Sequence, residues 1–234
     1  MSPGKSILSI DTSGRVIDVA LSSQSRIINL QSGFSPDNYE GVVCLIESVL
    51  RKAGLELKDI DCFGACIGPG SFTGMRIGLS VMKALAYSQR KQIIGFSSLE
   101  LLAHTVKDRF RGLLCIMQDA KRNNVYSAVF RNNNRLSRIG SYLLLGPQQL
   151  LKEIKKIYKR GTDLYFYGDA ASIYKDQIMQ SFPDAVILPY REEKSRGQAI
   201  ISLTKDNAGR RISPFKILPL YMYPKDCQVR KSAQ

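Results

Sequence analysis

Residues 66–90, CIGPGSFTGMRIGLSVMKALAYSQR, constrain the chain more than any other stretch. An apolar strand end (Ala65, Cys66, Ile67) runs into Gly68-Pro69-Gly70, and an apolar spacing of helical period then follows at Met75, Leu79, Met82 and Ala86. The expected order is strand, tight glycine turn and long helix. Ser71 or Thr73 can cap the free N–H groups at the helix start, and such an end can hold an anion. The spacing nevertheless misses both phosphate-loop formulas, because Thr73 stands where either needs its later glycine and no Gly-Lys-Ser/Thr follows. Gly74 and Gly78 lie one helical turn apart on one face, a spacing that admits a second helix at close range. Close helix packing is therefore the use assigned to them.

Around this core the sequence lays out an alternating order. Ile7–Asp11, Val16–Leu21 and Arg26–Leu30 read as three strands, and a helix starts at Pro36-Asp37 and ends at Ala53-Gly54. Strand Cys62–Ile67, the central helix, strand Ile93–Phe96 and a helix from Leu99 to about Val106, capped by Ser97-Ser98, complete the first half. The second half opens in the same way. Leu113–Gln118 ends in Asp119, a polar turn follows, and strands Val125–Arg131 and Ser137–Leu145 come next, as Ile7–Ile10, Asp11 and two further strands do earlier. Helices Pro147–Tyr158 and Ala171–Phe182 flank strand Leu164–Tyr167 and the Gly168-Asp169 turn. The expectation is an α/β protein of two similar β-β-β-α-β-α lobes meeting near residue 100: 1–100, then 101–234 with a basic, proline-punctuated tail that returns over the body from Lys205 onward. The run Lys225–Gln234 reads as disordered.

Several chemistries are excluded by what the chain lacks. His104 is the only histidine, on the apolar side of a short helix, so neither a His-x-x-x-His metal pair nor a Ser–His or Cys–His nucleophile system can be assembled. The five cysteines are odd in number, mostly inside apolar segments, and form no C-x-x-C pair, which reads as reduced buried thiols. No apolar run approaches the roughly 20 residues that a membrane span needs, and the N-terminal apolar stretch is too short for a signal peptide. A cytoplasmic protein without membrane contact is expected. Lys and Arg number 34 against 20 acidic residues, a net charge of +14 that draws a protein towards polyanions such as nucleic acid or simply solvates its surface.

The contiguous run GPGSFTG-Met-Arg-Ile-Gly, Gly68–Gly78, resembles the signature of the TsaB (YeaZ) family, and Pro219-Leu220-Tyr221 resembles a motif near the end of such chains. The resemblance implies the actin, Hsp70 and sugar kinase (ASKHA) superfold. It also implies a non-catalytic partner of the TsaD enzyme in synthesis of threonylcarbamoyladenosine, beside the anticodon of tRNAs that read ANN codons, with recruitment of the ATPase TsaE. Many relatives carry a histidine before the first long helix, which Pro36-Asp37-Asn38-Tyr39 lacks. By the same resemblance the two helices starting near Asp37 and Ser71 face TsaD, or a second copy when the protein is alone. Asn38, Val42, Ile46, Phe72, Thr73, Gly74, Met75, Arg76, Gly78, Leu79, Met82 and Lys83 are the expected interface, with ATP or ADP as a candidate ligand at the contact.

Within the superfold, Asp11, Thr12, Ser13, Asp119 and Gly168 stand where nucleotide contacts occur. Read from the residues alone, turn-capping by Asp11 and Asp119 comes ahead of nucleotide binding, because the turn after Asp11 has a single glycine and the second half has no glycine-rich loop. An ATP-dependent small-molecule kinase is the alternative function that a nucleotide reading would support. Lys152, Lys155, Lys156, Lys159 and Arg160 fall on helical spacing, with Arg210, Arg211 and Lys216 as a second cluster, and would meet tRNA phosphates within the complex.

Overall fold

The computed structural model describes residues 5–24, 26–33, 40–191 and 196–223. Asn38, the expected helix start at Pro36-Asp37 and the expected disorder of 225–234 lie outside them. Strand β1 (Ile7–Asp11) pairs antiparallel with β2 (Val16–Ser23), which pairs with β3 (Arg26–Gly33). Helix α1 (Glu40–Ala53), strand β4 (Cys62–Gly68), helix α2 (Phe72–Ser88), strand β5 (Ile93–Ser97) and helix α3 (Ser98–Thr105) follow. Sheet order is β3-β2-β1-β4-β5, with β1, β4 and β5 parallel because helices cross between them. The polar residues that cap α2 and α3 do so as the sequence suggests. Ser71 accepts from the Gly74 amide at 3.2 Å, and Ser97 and Glu100 form a reciprocal capping box.

The second half repeats the order: β6 (Gly112–Asp119), β7 (Val125–Asn132), β8 (Leu136–Leu145), α4 (Pro147–Ile157) and β9 (Leu164–Tyr167). The single helix expected over 171–182 is instead two, α5 (Asp169–Ile173) and α6 (Lys175–Ser181), broken at Tyr174. The pair β10 (Val186–Ile187) and α7 (Gly197–Asp206), unforeseen in the sequence, completes a repeat of β-β-β-α-β-α-β-α. Sheet order β10-β9-β6-β7-β8 matches the first sheet position for position.

Each sheet is covered on both faces. On the first, α1 and α2 bury Val42, Ile46, Val49, Leu79, Met82 and Ala86 against Leu8, Ile10, Val19 and Phe63. The opposite face packs Ile7, Cys62, Ile94 and Phe96 against Leu101 of α3 and Ala199, Ile200, Ile201 and Leu203 of α7. The second sheet holds α4, α5 and α6 on one face through Leu150, Ile154, Ala171 and Ile178. On its other face Leu99, Leu102 and Ala103 of α3 meet Leu114, Ile116, Ala128 and Phe130. Helix α3 thus lies between the sheets.

The chain does not stay in the second lobe after residue 101, as the expected boundary had it. Helix α7 packs on β1, β2, β3 and β5 of the first sheet, and the segment beyond it straps the same lobe. Ile212 pairs with Ile93, Ile217 joins the first core, and the Leu220 amide donates to the Ile67 carbonyl at 2.7 Å. Over its described residues, up to 223, the tail returns over the body as expected, and with a defined course.

Candidate functional site

The glycines of α2 are occupied from within the chain. A Cβ on Gly74 would run into the Thr12 carbonyl, and one on Gly78 into the Thr12 hydroxyl, with Thr12 Cγ2 at 2.9 Å. Thr12 Oγ1 donates to the Gly74 carbonyl at 2.7 Å, and the Ser71 amide donates to the Ser13 carbonyl at 2.7 Å. The notch therefore receives the β1–β2 turn. This corrects the expectation that it admits a second helix: the small residues do permit a close approach, but by the protein's own backbone. Met75, Leu79 and Met82 are buried in the same core, as are Val42 and Ile46 on α1. Of the residues expected at an interface, Phe72, Thr73 and Arg76 are exposed and Lys83 is half-buried.

Asp11, Thr12 and Ser13 are likewise enclosed. The Asp11 side chain is 0% exposed; one oxygen accepts from the Ser13 amide at 2.9 Å and from its hydroxyl at 2.6 Å, and the other lies 3.3 Å from Arg196 Nη1. Arg196, at the head of α7, also places Nε and Nη2 2.9 Å from Asp18 Oδ2. Burial pushes the Asp18 carboxyl above its usual range and Arg196 pulls it back; burial opposes the guanidinium charge as well, yet the two aspartates hold it well above its ordinary value. The turn-capping reading of Asp11 fits this geometry. A kinase would need that carboxylate free to order a metal, and here it is committed to Ser13 and Arg196. Arg196 escaped the sequence reading because nothing local ties it to residues nearly 180 positions earlier.

The second candidate turn is also spent on local bonds. Asp119 pairs with Lys121 Nζ at 2.6 Å; slight burial acts the other way, but the Lys121 hydrogen bonds draw its pKa down. Its amide donates to Asp169 Oδ1, which also caps the Ala170 amide. A Cβ on Gly168 would run into the Met117 carbonyl, so this glycine is a packing requirement of the turn. Among the described residues no group of three or more His, Cys, Asp or Glu side chains could hold a metal. His104 is half-buried on α3, and burial lowers its pKa against the opposing pull of Asp206.

An exposed face does form on α2, from Phe72, Arg76 and Lys83 of the expected interface together with Tyr87 and the returning strap. Phe72, 54% exposed, packs at 5.3 Å on Tyr221 of the returning strap. Arg76 lies 3.7 Å from the Phe72 ring centroid and donates from Nε to the Tyr221 hydroxyl at 2.7 Å. Further along, Tyr87 meets Phe215 edge-on at 5.0 Å, Leu218 is exposed, and Lys83 Nζ holds the Ile217 carbonyl at 3.3 Å. Val43 and Cys44 are exposed on α1, which covers the same side of the sheet. Only the motif at Pro219-Leu220-Tyr221 hinted at the strap's share. The basic residues Lys152, Lys155, Lys156, Lys159 and Arg160 are exposed on and after α4, where Lys156 also pairs with Glu153 at 2.7 Å.

Comparison with known proteins gives a consistent set of likenesses. Residues 17–199 match the family model described as "TsaD: tRNA N6-adenosine threonylcarbamoyltransferase". The tRNA threonylcarbamoyladenosine biosynthesis protein TsaB of Bacillus subtilis (strain 168) is 29% identical over 176 residues, covering 74% of each chain. The protein of that name from Buchnera aphidicola subsp. Baizongia pistaciae is 29% identical over 225 residues, 93% of this chain and 98% of its own. Among solved structures, YeaZ from Pseudomonas aeruginosa superposes with a TM-score of 0.78 at 20% identity, covering 93% of this chain and all of that one, which is a likeness of fold.

Proposed function

The chain belongs to the TsaB (YeaZ) family, within the wider TsaD-type family whose model it matches, and from that membership we propose that it serves tRNA threonylcarbamoyladenosine synthesis as a partner subunit of TsaD. It contributes no catalytic residue and acts by binding and ordering TsaD, helping to bring in TsaE, for threonylcarbamoyl transfer to the adenosine beside the anticodon of ANN-decoding tRNAs. The protein works in the cytoplasm, with ATP or ADP a candidate ligand at the subunit contact and a homodimer through the same face as its state when alone. No helix among the described residues is long and apolar enough to cross a membrane.

The observation that carries the reading is the cluster of Phe72, Arg76, Tyr221, Tyr87, Phe215 and Leu218. Large aromatic and aliphatic groups next to an arginine, left in solvent on one side of a molecule whose sheets are otherwise covered, are what a docking surface presents. The test is capture of TsaD from the same organism by the tagged chain. Phe72→Ala/Tyr87→Ala should lose capture while its circular dichroism and melting temperature stay near those of the parent. Undiminished capture by the folded double variant would move the contact elsewhere. Gly78→Arg is not a suitable probe, because an arginine there collides with Thr12 inside the protein.

A further inference from the structure

A concave site lies at the other end of the molecule from the Asp11 and Asp119 turns. It is a cleft of about 870 Å³ lined by Glu100 and His104 of α3, the α3–β6 connection, the β7–β8 hairpin and the end of α7. Asp119 closes β6, whereas Arg111, in the cleft, stands just before Gly112 opens it. The walls come from both lobes, and the volume suits a small molecule rather than a protein segment. Its lining is charged. Lys107, Arg111, Arg135, Arg138 and Arg210 face Glu100, Asp108 and Asp206.

The balance of these charges favours an anion. Glu100 is engaged at the α3 cap, where it accepts from the Ser97 amide, and it lies 3.8 Å from Arg210. Asp206 lies 4.0 Å from His104 Nδ1, beyond hydrogen-bond length, and its side chain is largely in solvent. Among the described residues, Lys107, Arg111, Arg135 and Arg138 form no ion pair. Arg138 is set over the Tyr142 ring at 4.1 Å and bonded to the Gly140 carbonyl, so its fork is oriented before any ligand arrives. Two further lining groups, His104 Nδ1 and Asn207 Nδ2, are buried without a hydrogen-bond partner, and the His104 side chain is 10% exposed. Buried polar atoms in native proteins rarely stay unmatched, and a ligand oxygen satisfies both a side-chain amide and an imidazole N–H. Asn132 ties the Lys107 and Phe110 carbonyls to the β7 end at 2.6 and 3.1 Å, which fixes one wall.

We propose that this cleft binds a small phosphate-bearing molecule, with Arg135 and Arg138 from the hairpin and Lys107 and Arg111 from the α3–β6 connection gripping its oxygens. Fork-shaped guanidinium groups bind phosphate bidentately, and several on separate elements select a ligand with more than one anionic group. The proposal is independent of TsaD, since it concerns the isolated chain.

The test is titration calorimetry of the full-length protein with inorganic tripolyphosphate at 50 and 200 mM salt. The expected result is one saturable site per chain. Affinity should fall about tenfold or more for each arginine removed in Arg135→Ala and Arg138→Ala, and Lys175→Ala, at an exposed lysine on α6 outside the cleft, should leave it unchanged. Arg135 lies on an exposed hairpin, so its loss leaves the fold intact and makes the measurement interpretable. Several equivalent weak sites, or equal affinity in the hairpin variants, would overturn the proposal. A short single-stranded RNA that binds tightly and is not displaced by tripolyphosphate would also overturn it, by assigning the cleft to a nucleic-acid track.

Discussion

Replacing Arg196 with Leu tests whether one buried guanidinium holds the returning helix α7 on the first lobe. At the observed 2.9 and 3.3 Å, its attractions to Asp18 and Asp11 are each about 5 to 6 kcal/mol at an effective dielectric of about 20. Most of this offsets the cost of taking three charges out of water. The leucine variant keeps that cost for both carboxylates and loses the attraction, so a net loss of about 3–5 kcal/mol is expected. For a chain of this size that corresponds to a melting temperature lower by roughly 6–20 °C.

The loss should depend on pH, and its direction follows from Asp18. Its carboxyl already sits above the 3.8 of an ordinary aspartate because of burial, and removing Arg196 takes away the main influence pulling it down. A group whose folded pKa is raised contributes stability below its unfolded pKa and loses it as pH climbs through the folded one. The variant should therefore gain stability relative to the parent between pH 7 and pH 4. Urea unfolding at pH 7, 5.5 and 4 measures both effects, and Asp18→Asn in the variant background should recover part of the loss at pH 7. A deficit under about 1 kcal/mol, below the range given for a broken buried pair, and unchanged by pH would refute the reasoning.

Three further outcomes follow from the packing. Gly78→Ala should lower stability in urea, because overpacking against Thr12 costs about 1–3 kcal/mol while alanine recovers only about 1 kcal/mol of helix propensity; in a Thr12→Ala background the same change should become neutral or favourable, and a stabilised Gly78→Ala single variant would contradict the packing described. In a Cys227→Ser protein, a thiol reagent at pH 8 should modify Cys44 quickly and leave Cys62, Cys66 and Cys115 unmodified, since burial pushes Cys115 up to about 12 and raises Cys66 as well; mass spectrometry of the labelled peptides reads the result. Ser97→Ala removes the cap of α3 and should cost about 1 kcal/mol, seen as a lower urea midpoint with an unchanged slope.

The order of elements was legible because each is specified by residues close in the chain. Alternation marks the strands of both halves, the 3.6-residue period marks α1, α2 and α4, and Ser71, Ser97 and Gly54 mark helix ends with side-chain or backbone chemistry that is purely local. Even the internal duplication could be read, from Ile7–Asp11 and Leu113–Asp119. What failed was partly a matter of weak signals. The apolar Ala199, Ile200 and Leu203 of α7 follow a stretch without a recognisable cap, and the break at Tyr174 interrupts a pattern that reads as continuous.

The rest was decided only when distant segments met. An apolar stripe or a pair of glycines states that something packs there, without stating what. Thr12 fills the notch at Gly74 and Gly78, Arg196 bridges Asp11 and Asp18, and the strap puts Tyr221 and Phe215 beside Phe72 and Tyr87. Each of these partnerships joins residues about 60 to 180 positions apart, beyond the reach of any local period. The sequence of amino acids set which faces must be covered; closure of the chain on itself set which were covered from within and which stayed exposed.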